Sequence, residues 1–354
     1  MKITFCLPSI LKVPAGGFKI VFEYANRLSN RGHDITIICL TDNHFLKLNN
    51  FGKNIFGKLR IKGYPNWFPL NNNIKVIATP YLDGRHFPDA DFVVATAART
   101  STIISHFPDS KGKKLYLIQD YETWGMSEEE LDKTYNLGLT NIVISKWLEK
   151  LVLEKSGVKP YLISNPIDTD VYYTQNPIGK RNSMEVGMLY HEGKHKGIPV
   201  AMKALELVKK DYPDLHVNLF GVYNLPEDLP NWFSYTKNAN SDQLFNLYNK
   251  SAIFICASIE EGFGLTGAEA MACGCALVST NYKGVYEYAR DKENALLSPI
   301  NDAEALARNI KKLIKNEDLR QKIAKQGSND LSYFSWKNAI DKFEGLIVQE
   351  GNVG

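Results

Sequence analysis

Residues 3–40 read ITFCLPSILKVPAGGFKIVFEYANRLSNRGHDITIICL, and the order of patterns in this stretch decides the fold class. Ile3 to Leu7 is a short apolar run that reads as a buried strand, and Pro14-Ala15-Gly16-Gly17 is a turn. From Phe18 to Arg31 the apolar Val21, Ala25 and Leu28 recur at helical spacing, while Glu23, Asn26, Arg27 and Asn30 take the other face. Gly32 ends that helix as a C-cap would, and Ile35 to Leu40 is a second apolar run. Strand, Gly-rich loop, helix and strand in this order make a βαβ unit, hence a parallel sheet.

The alternation continues outward from that unit. Strands are expected at Lys75–Ala78, Asp91–Ala95, Lys114–Ile118, Asn141–Ile144 and Tyr161–Ser164, with helices at Thr100–His106 and Lys146–Ser156. The piece from His44 to Asn73 breaks the rhythm and reads as an insertion or long loop. Periodicity vanishes from Asn165 to Ser183, where Pro166, Pro177 and Gly179 mark a linker. It then restarts, with strands at Met184–Leu189, Leu215–Phe220, Ile253–Ala257 and Ala276–Ser279. Helices are expected at Ile198–Lys210, Asp242–Asn249, Gly267–Ala272, Asp302–Asn316, Asp318–Gln326 and Trp336–Val348. The reading is an α/β protein of two doubly wound, Rossmann-like parallel-sheet domains. One covers 1–170, the other 171–335, and the helix at about 336–350 returns to the first. Paired domains of this kind place a ligand crevice where their strand ends face each other.

Composition narrows the function. The 354 residues exceed one ordinary domain and suit two. A net charge of +3 is too small for a nucleic-acid binder, so no nucleic-acid partner is expected. Five cysteines, all in apolar runs, have no disulfide or zinc spacing; Cys273 and Cys275 lack a second ligand pair and read as small packing residues. Neither a signal peptide nor a spanning helix is legible, which suggests a cytoplasmic location or a place at a membrane surface.

The chemistry concentrates in residues 260–274, EEGFGLTGAEAMACG, between a buried strand and the start of a helix. Thr266 and Glu269 have capping-box spacing. Gly262 and Gly264 let backbone approach a ligand, and the helix behind them aims unpaired N–H groups and a positive dipole end at it, which suits a phosphate. Glu261 and Glu269 are eight residues apart and flank that helix start. Carboxylates so placed suit a ligand with a diphosphate between two polyols, which is a nucleotide-sugar.

This segment resembles the E-x7-E motif of retaining glycosyltransferases with the GT-B fold, glycosyltransferase family 4. The similarity runs from about Ser251 to Trp336, through Met271-Ala272-Cys273-Gly274-Cys275-Ala276, Gly284-Val285-Tyr286-Glu287-Tyr288 and Asn294-Ala295-Leu296-Leu297. Weaker N-terminal matches at Gly16-Gly17, Gln119-Asp120-Tyr121-Glu122 and Ser164-Asn165-Pro166-Ile167-Asp168 resemble bacterial rhamnosyl and surface-glycan transferases. The resemblance implies that Glu269 holds the ribose hydroxyls and that Glu261 contacts the transferred sugar. It implies further that the backbone Gly262-Phe263-Gly264-Leu265-Thr266 holds the diphosphate, which Gly16 and Gly17 approach. Lys196, before Gly197, matches a family lysine that offsets leaving-group charge; the companion arginine position is Met188, and Lys194 is the compensating cation. A family histidine is replaced here by Gln119-Asp120-Tyr121-Glu122, so Asp120 or Glu122 becomes the acceptor-base candidate. Such enzymes work without metal or cofactor, and no DxD with a matching ligand appears. UDP is among the donor nucleotides considered, and the base, sugar and acceptor stay open.

Between His44 and Asn73, Lys47, Lys53, Lys58, Arg60 and Lys62 interleave with Phe45, Phe51, Phe56, Tyr64, Trp67 and Phe68, with no acidic residue. This suits an anionic membrane surface or a lipid-linked glycan acceptor, peripheral at the inner face of the cell membrane; the alternative is an ordered loop covering the sheet. Three rival functions remain: a non-catalytic glycosyltransferase-like partner subunit, a sugar-nucleotide epimerase, and a dinucleotide-dependent dehydrogenase. The last wants G-x-G-x-x-G where only Gly16-Gly17 stands.

Overall fold

The structure, a computed structural model, describes residues 1–43, 48–226 and 229–352. The chain divides into two compact units, Met1–Asn165 with Lys337–Gly354, and Pro166–Trp336.

The first unit is built on seven parallel strands: β1 (Lys2–Leu7), β2 (Asp34–Leu40), β3 (Lys75–Thr79), β4 (Phe92–Ala95), β5 (Lys113–Ile118), β6 (Thr140–Val143) and β7 (Tyr161–Leu162). Their order in the sheet is β3-β2-β1-β4-β5-β6-β7. Helices α1 (Gly16–Asn30), α2 (Asn50–Arg60), α3 (Ala98–Ser105), α4 (Glu128–Thr134) and α5 (Lys146–Ser156) connect them. Residues 3–7 of β1 are all buried, as expected of a parallel strand covered on both faces. Helix α1 buries Val21, Ala25 and Leu28, the positions picked out by spacing, together with Ile20, Phe22 and Tyr24.

Six parallel strands form the second sheet, in the order β10-β9-β8-β11-β12-β13. They are β8 (Glu185–Leu189), β9 (His216–Gly221), β10 (Phe233–Lys237), β11 (Ile253–Cys256), β12 (Ala276–Thr280) and β13 (Ala295–Ser298). Around them lie α6 (Ile198–Asp211), α7 (Ser241–Lys250), α8 (Leu265–Ala272), α9 (Ala303–Lys315) and α10 (Glu317–Leu331). Val186, Leu219, Ile255 and Val278 of the sheet share one core with Leu205 of α6, Ile310 of α9 and Ile323 of α10. Both units are therefore Rossmann-like, as the alternation predicts.

The last helix, α11 (Trp336–Asn352), belongs to the first unit. Phe343 lies 6.4 Å from the Phe5 ring and 5.3 Å from that of Tyr24, and Arg31 pairs with Asp341 at 2.6 Å and with Glu344.

The segment 44–73, expected to be an insertion or long loop, contains a helix among its described residues. Its part 50–60 is α2, opened by the Asn49 side chain accepting the Gly52 N–H at 2.9 Å. Tyr64, Trp67 and Phe68 pack their rings around Phe22 of α1, within 5.4–5.9 Å, so these three aromatics cover the unit's own core. His44, Phe45 and Lys47 lie outside the described residues.

Candidate functional site

In the second unit the predicted residues gather where β8, β11 and β12 end. The loop after β8 closes in a tight turn at Lys194–Lys196, followed by Gly197 in the left-handed conformation, φ +60°. A Cβ on Gly197 would stand 2.0 Å from the Ala257 carbonyl oxygen, so only glycine lets this turn press onto the end of β11. The turn is also stitched to the next loop, because the His195 carbonyl accepts the Ile259 N–H at 2.7 Å. Lys196 thereby reaches Glu261, Nζ to Oε2 at 2.9 Å, and the Ser258 hydroxyl donates to Oε1 of the same carboxylate. Burial pushes the Glu261 carboxyl up, but the Lys196 charge and the Ser258 hydrogen bond outweigh it and hold the group below its ordinary value.

Gly264 is the pivot between this loop and α8. Its φ of +94° is left-handed, and a Cβ there would lie 1.9 Å from the Tyr282 hydroxyl. Tyr288 donates to the Gly264 carbonyl at 2.9 Å, and the Tyr282 and Tyr288 hydroxyls are 2.8 Å apart. Gly264 is also the N-cap of α8, so Thr266 lies inside the helix and the Thr266–Glu269 capping box is not formed. The first intrahelical bond runs from Ala268 N to the Gly264 carbonyl, which leaves the N–H groups of Leu265, Thr266 and Gly267 ahead of the hydrogen-bond ladder. Phe263 is buried against Tyr288 and Phe334, at 5.3 and 6.0 Å, which anchors the backbone on either side of it. Glu269 is buried one turn into the helix and accepts the Tyr248 hydroxyl at 3.1 Å. The two carboxylates thus flank the helix start as expected, one neutralised by a lysine, the other held by a tyrosine.

The remaining residues of the β8 loop divide. Lys194 is exposed, and Met188, the residue at the position expected for a companion arginine, is buried in β8. His191 lies 4.8 Å from the Tyr223 ring and 5.5 Å from His195, and its Nδ1 accepts the Gly193 N–H at 2.8 Å. Burial, then the Lys196 charge, pushes His191 down to about 4 and lowers His195, so both rings are neutral at physiological pH.

In the first unit the candidates lie at the carboxyl ends of β1, β4 and β5. Gly17 stands against Gln119, whose side chain donates to the Gly17 carbonyl at 3.2 Å. A Cβ on Gly17 would meet that side chain at 3.4 Å. Gly16 is the first residue of α1. Asp120 is half-buried and accepts the N–H of Tyr121 at 2.9 Å. Both Glu122 oxygens accept the Ala98 N–H at 3.2 Å, at the start of α3. Burial pushes the Glu122 carboxyl up to about 7, against the Ala98 bond and with help from Asp120. Sequence reasoning missed Arg99, which pairs with Asp42 in this same region, and also Tyr248, Tyr282 and Ser258. Only Ser258 carried a signal, its S-x-x-E spacing to Glu261.

With this geometry in view, the comparisons agree with the motif. Residues 185–330 match the family described as glycosyl transferases group 1. The chain is 25% identical over 211 residues to an uncharacterized glycosyltransferase of Methanocaldococcus jannaschii, covering 56% of each chain. It is 26% identical over 249 residues to the poly(glycerol-phosphate) alpha-glucosyltransferase of Bacillus subtilis, over 67% of this chain and 36% of that protein. The chain thus matches about half or less of the length of these two relatives. Among solved structures, the Anabaena protein HepE in complex with UDP and glucose superposes with a TM-score of 0.77 at 16% identity, over 99% of this chain and all of that one. The fold is therefore the GT-B pair of Rossmann-like domains that the motif implied.

Proposed function

We propose that this chain, whose residues 185–330 are a glycosyl transferases group 1 domain, is a metal-independent, retaining hexosyltransferase. It moves a sugar from a nucleotide-diphosphate sugar to a glycan, glycolipid or glycoprotein acceptor, in bacterial surface polysaccharide or glycoprotein assembly. One observation carries the reading: Glu261 and Glu269 stand on either side of the α8 start, whose first N–H groups precede the hydrogen-bond ladder. In this proposal the diphosphate lies on the backbone from Gly262 to Thr266, where amide donors and the helix dipole favour negative charge. Glu269 takes the ribose hydroxyls. Glu261 faces the positive charge that develops at the anomeric carbon, while Lys196, with Lys194 nearby, offsets the charge leaving on the diphosphate. Lys196 already bridges to Glu261, so one cation can serve both the carboxylate and the phosphate. Gly16 and Gly17 are assigned to the donor phosphates. Asp120 is the acceptor-side base, and Asp120→Asn is expected to lose rate while leaving donor binding intact; unchanged activity would remove it from the mechanism.

The test is a thermal shift with UDP, GDP, dTDP and ADP, each in EDTA. UDP comes first because the Anabaena structure holds it. A nucleotide at a hundred times its dissociation constant stabilises by ~2.7 kcal/mol, which is ~5–10 °C for a domain of this size. A shift with one nucleotide that disappears in Glu269→Ala is the expected result. No shift with any of the four would refute donor binding and favour the non-catalytic partner subunit, for which the buried Met188 is the supporting observation.

A further inference from the structure

Helix α2 carries its apolar residues on the wrong face for a soluble protein. Surface helices turn their apolar stripe toward the core. Here the one buried residue of α2 is Gly57. A Cβ at Gly57 would touch Ala78 of β3 at 3.3 Å and the Thr41 hydroxyl at 3.4 Å, so the helix rests on the sheet edge through a glycine. Phe51, Ile55 and Leu59, spaced i, i+4, i+8, fall on one side at 100° per residue. That side is away from Gly57, and the three are 70%, 45% and 65% exposed. Phe56, 47% exposed, borders the stripe. On the same outward side stand Lys58 and, one residue past the C-cap, Lys62, both exposed. Between Asp42 and Asp83 the chain holds no acidic residue, while Lys47, Lys53, Lys58, Arg60, Lys62 and Lys75 fall in that interval.

We propose that the outward face of α2 is a docking surface for an anionic lipid bilayer, with Phe51, Ile55 and Leu59 in the interface and Lys58 and Lys62 against the headgroups. The charge pattern selects this occupant. A second copy of the chain would bring the same lysines against each other across a two-fold interface, with no carboxylate on α2 to meet them. An anionic bilayer takes apolar side chains and lysines together, and each lysine near such a surface adds about fivefold in binding. No described helix is long and apolar enough to cross a membrane, so the contact is peripheral. The inference rests on α2 alone and does not require that the chain transfer sugar.

The experiment is co-sedimentation of the full chain with vesicles of phosphatidylcholine and phosphatidylserine, and with phosphatidylcholine alone. Binding to the anionic vesicles is expected, weakened by added salt. Phe51→Ser with Leu59→Ser, and separately Lys58→Glu with Lys62→Glu, should each lower it by about tenfold or more. All four positions are exposed, so an unchanged melting temperature and an unchanged nucleotide shift show that the variants stay folded. Absence of binding by the native chain, or binding that neither double variant weakens, overturns the proposal. So does a native dimer, seen by light scattering, that the double variants dissociate, because the face then belongs to a second copy. Loss of the nucleotide shift with vesicle binding retained would count against the transferase reading and leave this one standing.

Discussion

Replacing Lys196 by Met tests the electrostatic core of the site. Lys196 Nζ and Glu261 Oε2 are 2.9 Å apart, with side chains only 18% and 12% exposed. Truncating one partner of a buried pair costs ~3–5 kcal/mol, because the other charge stays behind. Neither group is wholly buried and Ser258 still donates to Glu261 in the variant, so the loss at neutral pH should be nearer ~2–3 kcal/mol. For the 166–336 unit that is ~5–10 °C of melting temperature. The pH dependence has a definite sign. In the native chain the Glu261 carboxyl sits below its ordinary value. Its contribution is therefore present above the unfolded value of about 4.3 and is lost as pH falls through the folded one. Without Lys196, burial dominates and the folded value rises above the unfolded one. The penalty is then full at high pH and fades as the carboxyl takes up a proton. The gap between native and variant melting temperatures should thus narrow from about pH 7 to about pH 4.5, and Glu261→Gln should remove most of it. A gap that is the same at both pH values and persists beside Glu261→Gln would refute the pairing as the source of the effect.

Three further outcomes are expected. Gly264→Ala should abolish the nucleotide shift and destabilise by ~2 kcal/mol or more, because a left-handed turn is refused to alanine and its methyl would collide with the Tyr282 hydroxyl; a urea melt measures it. Arg181→Met should cost ~3–5 kcal/mol in the same assay. This buried guanidinium donates to the carbonyls of Asn176, Tyr248, Ser251 and Cys273, gathering the C-terminal ends of α7 and α8, where a cation also meets the helix dipoles. Glu122→Gln should stabilise by up to ~3 kcal/mol at about pH 8 and by little at about pH 5. The native carboxyl is raised to about 7, so its cost to folding begins above the unfolded value of about 4.3 and is complete only above about 7, whereas the amide oxygen can still accept the Ala98 N–H at any pH.

The parallel strands were legible because Val, Ile and Leu runs buried on both faces end at breakers such as Pro8 after β1 and Gly221 at the end of β9. Residues 50–60 were not, because Gly52, Gly57, Asn50 and Asn54 are poor helix formers and the apolar stripe points outward, giving no inward period to find. Strand β10 escaped for a related reason. It is an edge strand, and Ser234, Thr236 and Lys237 dilute its pattern. In the site, Glu261, Glu269, Lys196 and the α8 start were readable from local spacing and family resemblance. The local rule failed at Thr266, because a left-handed Gly264 takes the cap two residues earlier. Tyr248 and Tyr282 could not be found at all, since they reach Glu269 and Gly264 from separate elements and no spacing in one sequence encodes that meeting.

The return of α11 to the first unit has a consequence for synthesis. A ribosome makes all of residues 166–336 before it makes the helix that covers Phe5 and Tyr24. The second unit can close its core while the first, begun earlier, still waits for Phe343 and for the carboxylates that meet Arg31. The order of completion is therefore the reverse of the order of translation. During that interval the nascent first unit carries an uncovered aromatic surface, and a stop codon near residue 336 would make the exposure permanent.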